Sequence, residues 1–80
     1  MTTVILQYYA QLREQARIGS EQVNTSATSL HELYEELRAR HGFSLSPDAL
    51  KVAVNAQFSD WNRALHDGDT IVFIPPVAGG

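Results

Sequence analysis

Eighty residues with nine Asp or Glu against six Lys or Arg, a net charge of −3 and 44% hydrophobic residues describe one ordinary globular domain, not a disordered or nucleic-acid-binding chain. A chain this short can build one core but not a core plus an enclosed active-site cleft, so a self-sufficient enzyme is not expected. The absence of cysteine excludes disulfides, thiolate metal sites and cysteine nucleophiles, and it is compatible with a reducing cytoplasm, the expected location.

Thr3 to Ala10 alternates as a strand would, with Val4, Leu6 and Tyr8 on one face and Ile5, Gln7 and Tyr9 on the other. The run Val4-Ile5-Leu6 lacks a basic leader and a cleavage site, so no signal peptide is expected, and no segment is long enough to span a bilayer. Gln11 to Gly19 reads as a helical turn plus a connection, and Glu21 to Thr25 as a second strand with Val23 pointing inward. The two strands would form a hairpin with a long linker.

Leu30, Leu33, Tyr34 and Leu37 recur at helical spacing and form one apolar stripe. Ser29 and Glu32 have the form of a capping box, the basic residues Arg38, Arg40 and His41 crowd the last turn, and Gly42 is placed to stop the helix. After Ser46-Pro47-Asp48, the alternation of Val52 and Val54 marks a strand. Asn55-Ala56 turns it toward a short strand around Phe58, and Asp67-Gly68-Asp69 is a turn before the last strand, Thr70 to Ile74. The order strand, strand, helix, strand, short strand, strand predicts a single α+β domain spanning residues 1–80, with one helix packed across a mixed sheet. A helical crossover lets the last strand lie parallel beside the first, at the centre of the sheet.

The segment after Ile74 carries the most information. Pro75 and Pro76 lack backbone N–H groups and fix φ, so they end strand pairing and project a tail, residues 75–80, outward. The tail reaches roughly 20 Å if fully extended. Gly79 and Gly80 have no Cβ and can pass through a channel too narrow for a side chain. The expected working group is therefore the Gly80 carboxylate, presented on a rigid root.

Other candidates read as ordinary structure. His31, His41 and His66 lack close ligand spacing, so no metal site is expected. Glu32, Glu35 and Glu36 form the solvated face of the helix, and no glycine-rich phosphate loop is present. Trp61 is expected to cover a core edge. Strand parity, however, places Tyr9, Phe58 and Ile74 on the sheet face away from the helix, and an uncovered apolar face marks a partner site.

These residues resemble the ubiquitin-like β-grasp sulfur carriers, and among them the small subunits of molybdopterin synthase (MoaD type). The resemblance runs through the opening strand, Ala10-Gln11-Leu12-Arg13-Glu14, the capped helix, Val52-Ala53-Val54-Asn55, the turn Asp67-Gly68-Asp69 and the ending Ile74-Pro75-Pro76-Val77-Ala78-Gly79-Gly80. A terminal diglycine alone fits a thiamin-pathway carrier or a ubiquitin-like modifier equally well; the double proline and the Leu-Arg-Glu segment favour the molybdopterin branch. A plain interaction domain using the Tyr9 face is a further alternative.

The resemblance implies that an ATP-dependent adenylyltransferase activates Gly80, that a sulfur donor converts it to a thiocarboxylate, and that the tail, Pro75 to Gly79, enters the large synthase subunit. Sulfur then passes to cyclic pyranopterin monophosphate during molybdenum cofactor biosynthesis. The chain itself would be a noncatalytic subunit that binds no cofactor, with ATP consumed by the activating enzyme and the active site on the large subunit. Tyr9, Phe58 and Ile74 are implied at the interface, with Arg13 near that surface, where it either pairs with the partner or caps its own loop, in a heterotetramer with two copies of each subunit. No nucleic-acid or membrane partner is expected.

Overall fold

The computed structural model describes residues 1–76, and Val77, Ala78, Gly79 and Gly80 lie outside the described residues. Strand β1 (Thr2–Gln7) buries Val4 and Leu6 completely and leaves Ile5 exposed, the alternation that a two-faced sheet requires. Tyr8 is also buried, but the strand stops before it. Tyr9 keeps an extended backbone as the N-cap of helix α1 (Ala10–Ala16), and Ala10 at φ 50° turns the chain. The strand expected to reach Ala10 is thus shorter, because Tyr8 and Tyr9 serve the strand-to-helix corner. The expected helical turn is a seven-residue helix that buries Leu12.

Strand β2 (Ser20–Thr25) returns antiparallel to β1, with Val4 opposite Val23. Helix α2 (Leu30–His41) then crosses the sheet with Leu30, Leu33, Tyr34 and Leu37 buried, each contributing about 1.5–3 kcal/mol of apolar burial. Ser29 Oγ accepts the Glu32 N–H at 3.2 Å, as a capping residue should. The reciprocal half of the capping box differs: Glu32 Oε1 accepts from the Thr28 N–H and hydroxyl, both at 2.7 Å, instead of from the Ser29 backbone. Those two bonds hold the Glu32 carboxyl below its usual range. Gly42, at φ 74°, ends the helix in the left-handed conformation, and the N–H groups of Gly42 and Phe43 both donate to the Arg38 carbonyl.

A 3-10 turn (Pro47–Ala49) leads into strand β3 (Lys51–Val54), followed by β4 (Gln57–Ser59) and β5 (Thr70–Ile74). The sheet order is β2-β1-β5-β3-β4, with β5 parallel to β1 and antiparallel to β3. The last strand is therefore central, as the crossover predicts. Phe73, fully buried, meets Tyr34 edge-on at 4.9 Å and stacks on Trp61 at 5.7 Å. Trp61 covers a core edge as expected, and the Tyr34 hydroxyl donates to the Leu45 carbonyl at 2.7 Å.

Two polar groupings go beyond the sequence reading. Asp67 and Asp69 do more than flank a turn: Asp67 Oδ1 accepts the Thr3 N–H, and the buried Asp69 accepts from the Asn55 side chain and the His66 N–H. Near the end of α2, Glu21 Oε2 accepts the Tyr8 hydroxyl at 2.5 Å and lies 2.6 Å from His41 Nε2. Burial opposes the charge on Glu21, but the bonds from Tyr8 and His41 outweigh it and hold the carboxyl below its ordinary value. Burial, reinforced by the bond to Glu21, pushes the Tyr8 phenol far above its usual range, so it remains a donor.

Candidate functional site

Strand β5 holds the root of the tail. Its pairing with β1 ends at Val72, opposite Gln7, whereas pairing with β3 continues to Ile74, opposite Lys51. Pro75 and Pro76 come next, with no N–H to extend either ladder. The tail therefore departs from the middle of the sheet at the point where one flanking strand has already ended.

That departure leaves a groove on each side. One is lined by Tyr9, Gln11, Glu14, Ile74, Pro75 and Pro76. The other is lined by Asp48, Leu50, Lys51, Ile74, Pro75 and Pro76. Ile74, Pro75 and Pro76 line both grooves.

The face of the sheet opposite α2 is uncovered. Phe58 is 74% exposed and Tyr9 51% exposed. Phe58 pairs with Ala53, which pairs in turn with Val72, so the three side chains lie in one row across β4, β3 and β5. Lys51 extends over this row, with its Nζ 5.9 Å from the Phe58 ring centroid. Tyr9 donates a long hydroxyl bond, 3.5 Å, to Gln7 Oε1. The structure thus brings Tyr9, Ile74, Pro75 and Pro76 together around the tail root and sets Phe58 farther along the same face.

Arg13 lies in a neighbouring concavity, and Ala10 and Glu14 border both it and the Tyr9 groove. It lines that concavity with Ala10, Glu14, Arg17 and Gly19, and its guanidinium packs over Gly19, where a Cβ would stand in ordinary contact, 3.5 Å from Nε. Lys51, Ala53 and Val72 belong to the open face and are absent from the sequence-derived site; their signal is the period-2 alternation of β3 and β5, read for its inward half alone. Val77, Ala78, Gly79 and Gly80, the sequence-derived tail, lie outside the described residues. Among the described residues no cluster of His, Asp and Glu is placed to hold a metal ion, and no helix is long and apolar enough to cross a membrane.

Comparison with known proteins adds a second kind of observation. The ThiS family model matches residues 6–80. The molybdopterin synthase sulfur carrier subunit of Escherichia coli (strain K12) is 30% identical over 76 residues, covering 91% of this chain and 94% of that protein. A Pyrococcus furiosus protein described as molybdopterin converting factor, subunit 1, superposes with a TM-score of 0.79 at 26% identity, covering 96% of this chain and all of that one. A chain from the complex of subunits 1 and 2 of molybdopterin-converting factor from Helicobacter pylori 26695 superposes with a TM-score of 0.69, also at 26% identity, covering 99% of this chain and 100% of that one.

Proposed function

The chain belongs to the ThiS family, as a ubiquitin-like β-grasp sulfur carrier of the molybdopterin synthase small-subunit type, and from that premise we propose that Gly80 carries sulfur as a C-terminal thiocarboxylate. The observation that carries this reading is the identity to the Escherichia coli sulfur carrier subunit, which extends across nearly the whole of both chains.

The chemistry starts from the weakness of a carboxylate as an acyl donor, since its oxygen leaves badly. An ATP-dependent activating enzyme joins the Gly80 carboxylate to AMP and releases pyrophosphate, which installs a good leaving group. A sulfur donor that delivers sulfide-level sulfur attacks the acyl carbon; the C–S bond forms as the C–O bond to AMP breaks, AMP leaves with the electron pair, and the thiocarboxylate results. Splitting one difficult acyl transfer into two easier ones is the general logic of covalent intermediates. The charged tail enters the large subunit of molybdopterin synthase, where the thiocarboxylate sulfur forms a C–S bond to cyclic pyranopterin monophosphate as a C–O bond of that substrate breaks, and water then hydrolyses the acyl–sulfur link, releasing the sulfur on the substrate and returning Gly80 to a carboxylate. Gly79 permits insertion, Pro75 and Pro76 aim the tail, and Tyr9, Phe58 and Ile74 meet the large subunit, with Arg13 at the margin. Two copies of each subunit form the assembly, in the cytoplasm.

The test is the intact mass of the chain after incubation with its activating enzyme, ATP and a sulfur donor, beside a chain lacking Gly80. Replacement of one oxygen by sulfur, located in the C-terminal peptide and missing from the truncation, supports the carrier reading. Isopeptide conjugates to lysine instead of a thiocarboxylate would move the function to protein modification. Unmodified chain in the presence of a demonstrably active enzyme would leave an interaction domain.

A further inference from the structure

Strand pairing sorts the strand side chains onto two faces, and the face opposite α2 is almost free of charged strand residues. Ser20, Gln22 and Asn24 come to it from β2, Thr3, Ile5 and Gln7 from β1, and Thr70, Val72 and Ile74 from β5, all uncharged. From β3 come Lys51 and Ala53, and from β4 Phe58. Lys51 is therefore the one charged side chain that the five described strands place on this face, and it is the only lysine in the chain.

Its position is specific. Lys51 stands opposite Ile74 in the β3–β5 ladder, lines one of the two grooves beside the tail root, and holds its ammonium over the exposed Phe58 ring. It forms no ion pair among the described residues, although Asp48 lines the same groove. In the free chain, water solvates the ammonium while the lysine stem lies along apolar surface. A partner that covers Phe58 and Ile74 also covers Lys51, and a cation taken from water without a counter-charge opposes binding strongly.

Resting on the carrier reading, we infer that the large subunit presents a carboxylate side chain against Lys51, beside the tail, and that this pair selects the partner. The apolar row of Ala53, Val72 and Phe58 supplies contact area that tolerates many apolar surfaces. The ammonium penalises any surface that lacks an anion at that place, which is how a charge confers specificity. The pair also sits next to Pro75 and Pro76, so satisfying it fixes the tail root in register with the entrance it must pass.

The experiment is calorimetric titration of the recombinant large subunit with the wild-type chain, Lys51→Met and Lys51→Glu, each at low and at high sodium chloride. Lys51 is exposed, and circular dichroism and Tm confirm that each variant keeps the wild-type fold. The expected result for Lys51→Met is affinity at least about 10-fold weaker at low salt with a shallower salt dependence, and for Lys51→Glu a loss of more than about 100-fold, as for a desolvated charge pair. Lys51→Met affinity within about 2-fold of wild type, the size of effect left for an exposed rim charge, overturns the inference. So does a loss of equal size at every salt concentration. Wild-type chain that fails to bind the large subunit overturns the carrier reading itself, an outcome distinct from both.

Discussion

Asn55 and Asp69 tie the turn after β3 to the start of β5: Asn55 Nδ2 donates to Asp69 Oδ1 at 3.0 Å, while Asn55 Oδ1 accepts the Thr70 N–H at the same distance. The Asn55 N–H donates in turn to the Thr70 carbonyl at 2.8 Å, and the Asp69 carbonyl accepts the Ile5 N–H. One amide side chain thus helps to join β1, β3 and β5 just before the strand that carries the tail. Asn55→Ala removes two hydrogen bonds and leaves the buried Asp69 carboxylate short of a donor. We expect a loss of about 2–4 kcal/mol in urea denaturation, because an orphaned buried polar group adds its desolvation penalty to the lost bonds. A loss below about 1 kcal/mol would show that water replaces the amide without cost.

The neighbouring residue carries a different liability. Asn55 and Ala56 have φ values of 51° and 70°, the pair of left-handed conformations that a two-residue hairpin turn demands and that Asn-Gly satisfies best. Asn tolerates this region, whereas Ala pays for its Cβ. Ala56→Gly should therefore stabilise the domain by about 0.5–1 kcal/mol, the strain relief exceeding the entropy that glycine adds to the unfolded chain. Ala56 is exposed, so no packing is lost. A lower urea midpoint for Ala56→Gly would refute this account of the turn.

The Glu21 cluster predicts a pH dependence with a definite sign. Its carboxyl lies below the ordinary 4.5 in the folded chain, so the folded state favours the charged form. That contribution is fully present above pH 4.5 and is lost as the pH falls through the depressed folded value. Glu21→Gln keeps an acceptor for Tyr8 but removes the charge. The variant should be less stable by about 1–2 kcal/mol at neutral pH, the scale of a charged hydrogen bond in a partly solvated site. The gap should narrow below pH 4.5 and close in stronger acid. A gap that persists unchanged to pH 2 would assign the cost to packing.

The legible parts of this molecule are those with a local period. The inward residues of β1 and the apolar stripe of α2 are visible in sequence because burial repeats every two residues in a strand and every three or four in a helix. The central place of β5 comes from the crossover, and the prolines after Ile74 mark the tail root without reference to any distant residue. The Glu21 cluster has no such signal, since Tyr8 and His41 lie 13 and 20 residues away from Glu21, the first meeting it when β1 pairs with β2 and the second only when α2 docks. Competition between local partners obscures Glu32 as well, because Thr28 offers both a hydroxyl and an N–H where the capping-box pattern supplies only the Ser29 backbone. Family resemblance places Arg13 near the Tyr9 face, and its packing over Gly19, set by the course of the loop after α1, has no local period that would show it in the sequence.

Phe58 and Trp61 are large aromatics three residues apart, and the structure assigns them opposite roles. Trp61 stacks on the buried Phe73 and meets Tyr34 edge-on at 5.8 Å, while its carbonyl accepts the His31 N–H at the start of α2. Phe58 projects from a three-residue edge strand into solvent, 74% exposed. Trp61→Ala should cost about 2–4 kcal/mol of stability, somewhat below a fully buried aromatic because its ring is partly exposed. Phe58→Ala should leave Tm nearly unchanged, within the small range of surface substitutions. In binding to the large subunit the order reverses: Phe58→Ala should weaken affinity by about 1–2 kcal/mol as an aromatic anchor is lost, while Trp61→Ala, compared at a temperature where it is folded, should retain most of its affinity. Measuring both Tm and affinity for both variants decides the matter. Phe58→Ala with wild-type affinity would remove β4 from the interface, whereas equal losses in stability for the two would mean that Phe58 is buried in solution by a surface that the isolated chain does not provide.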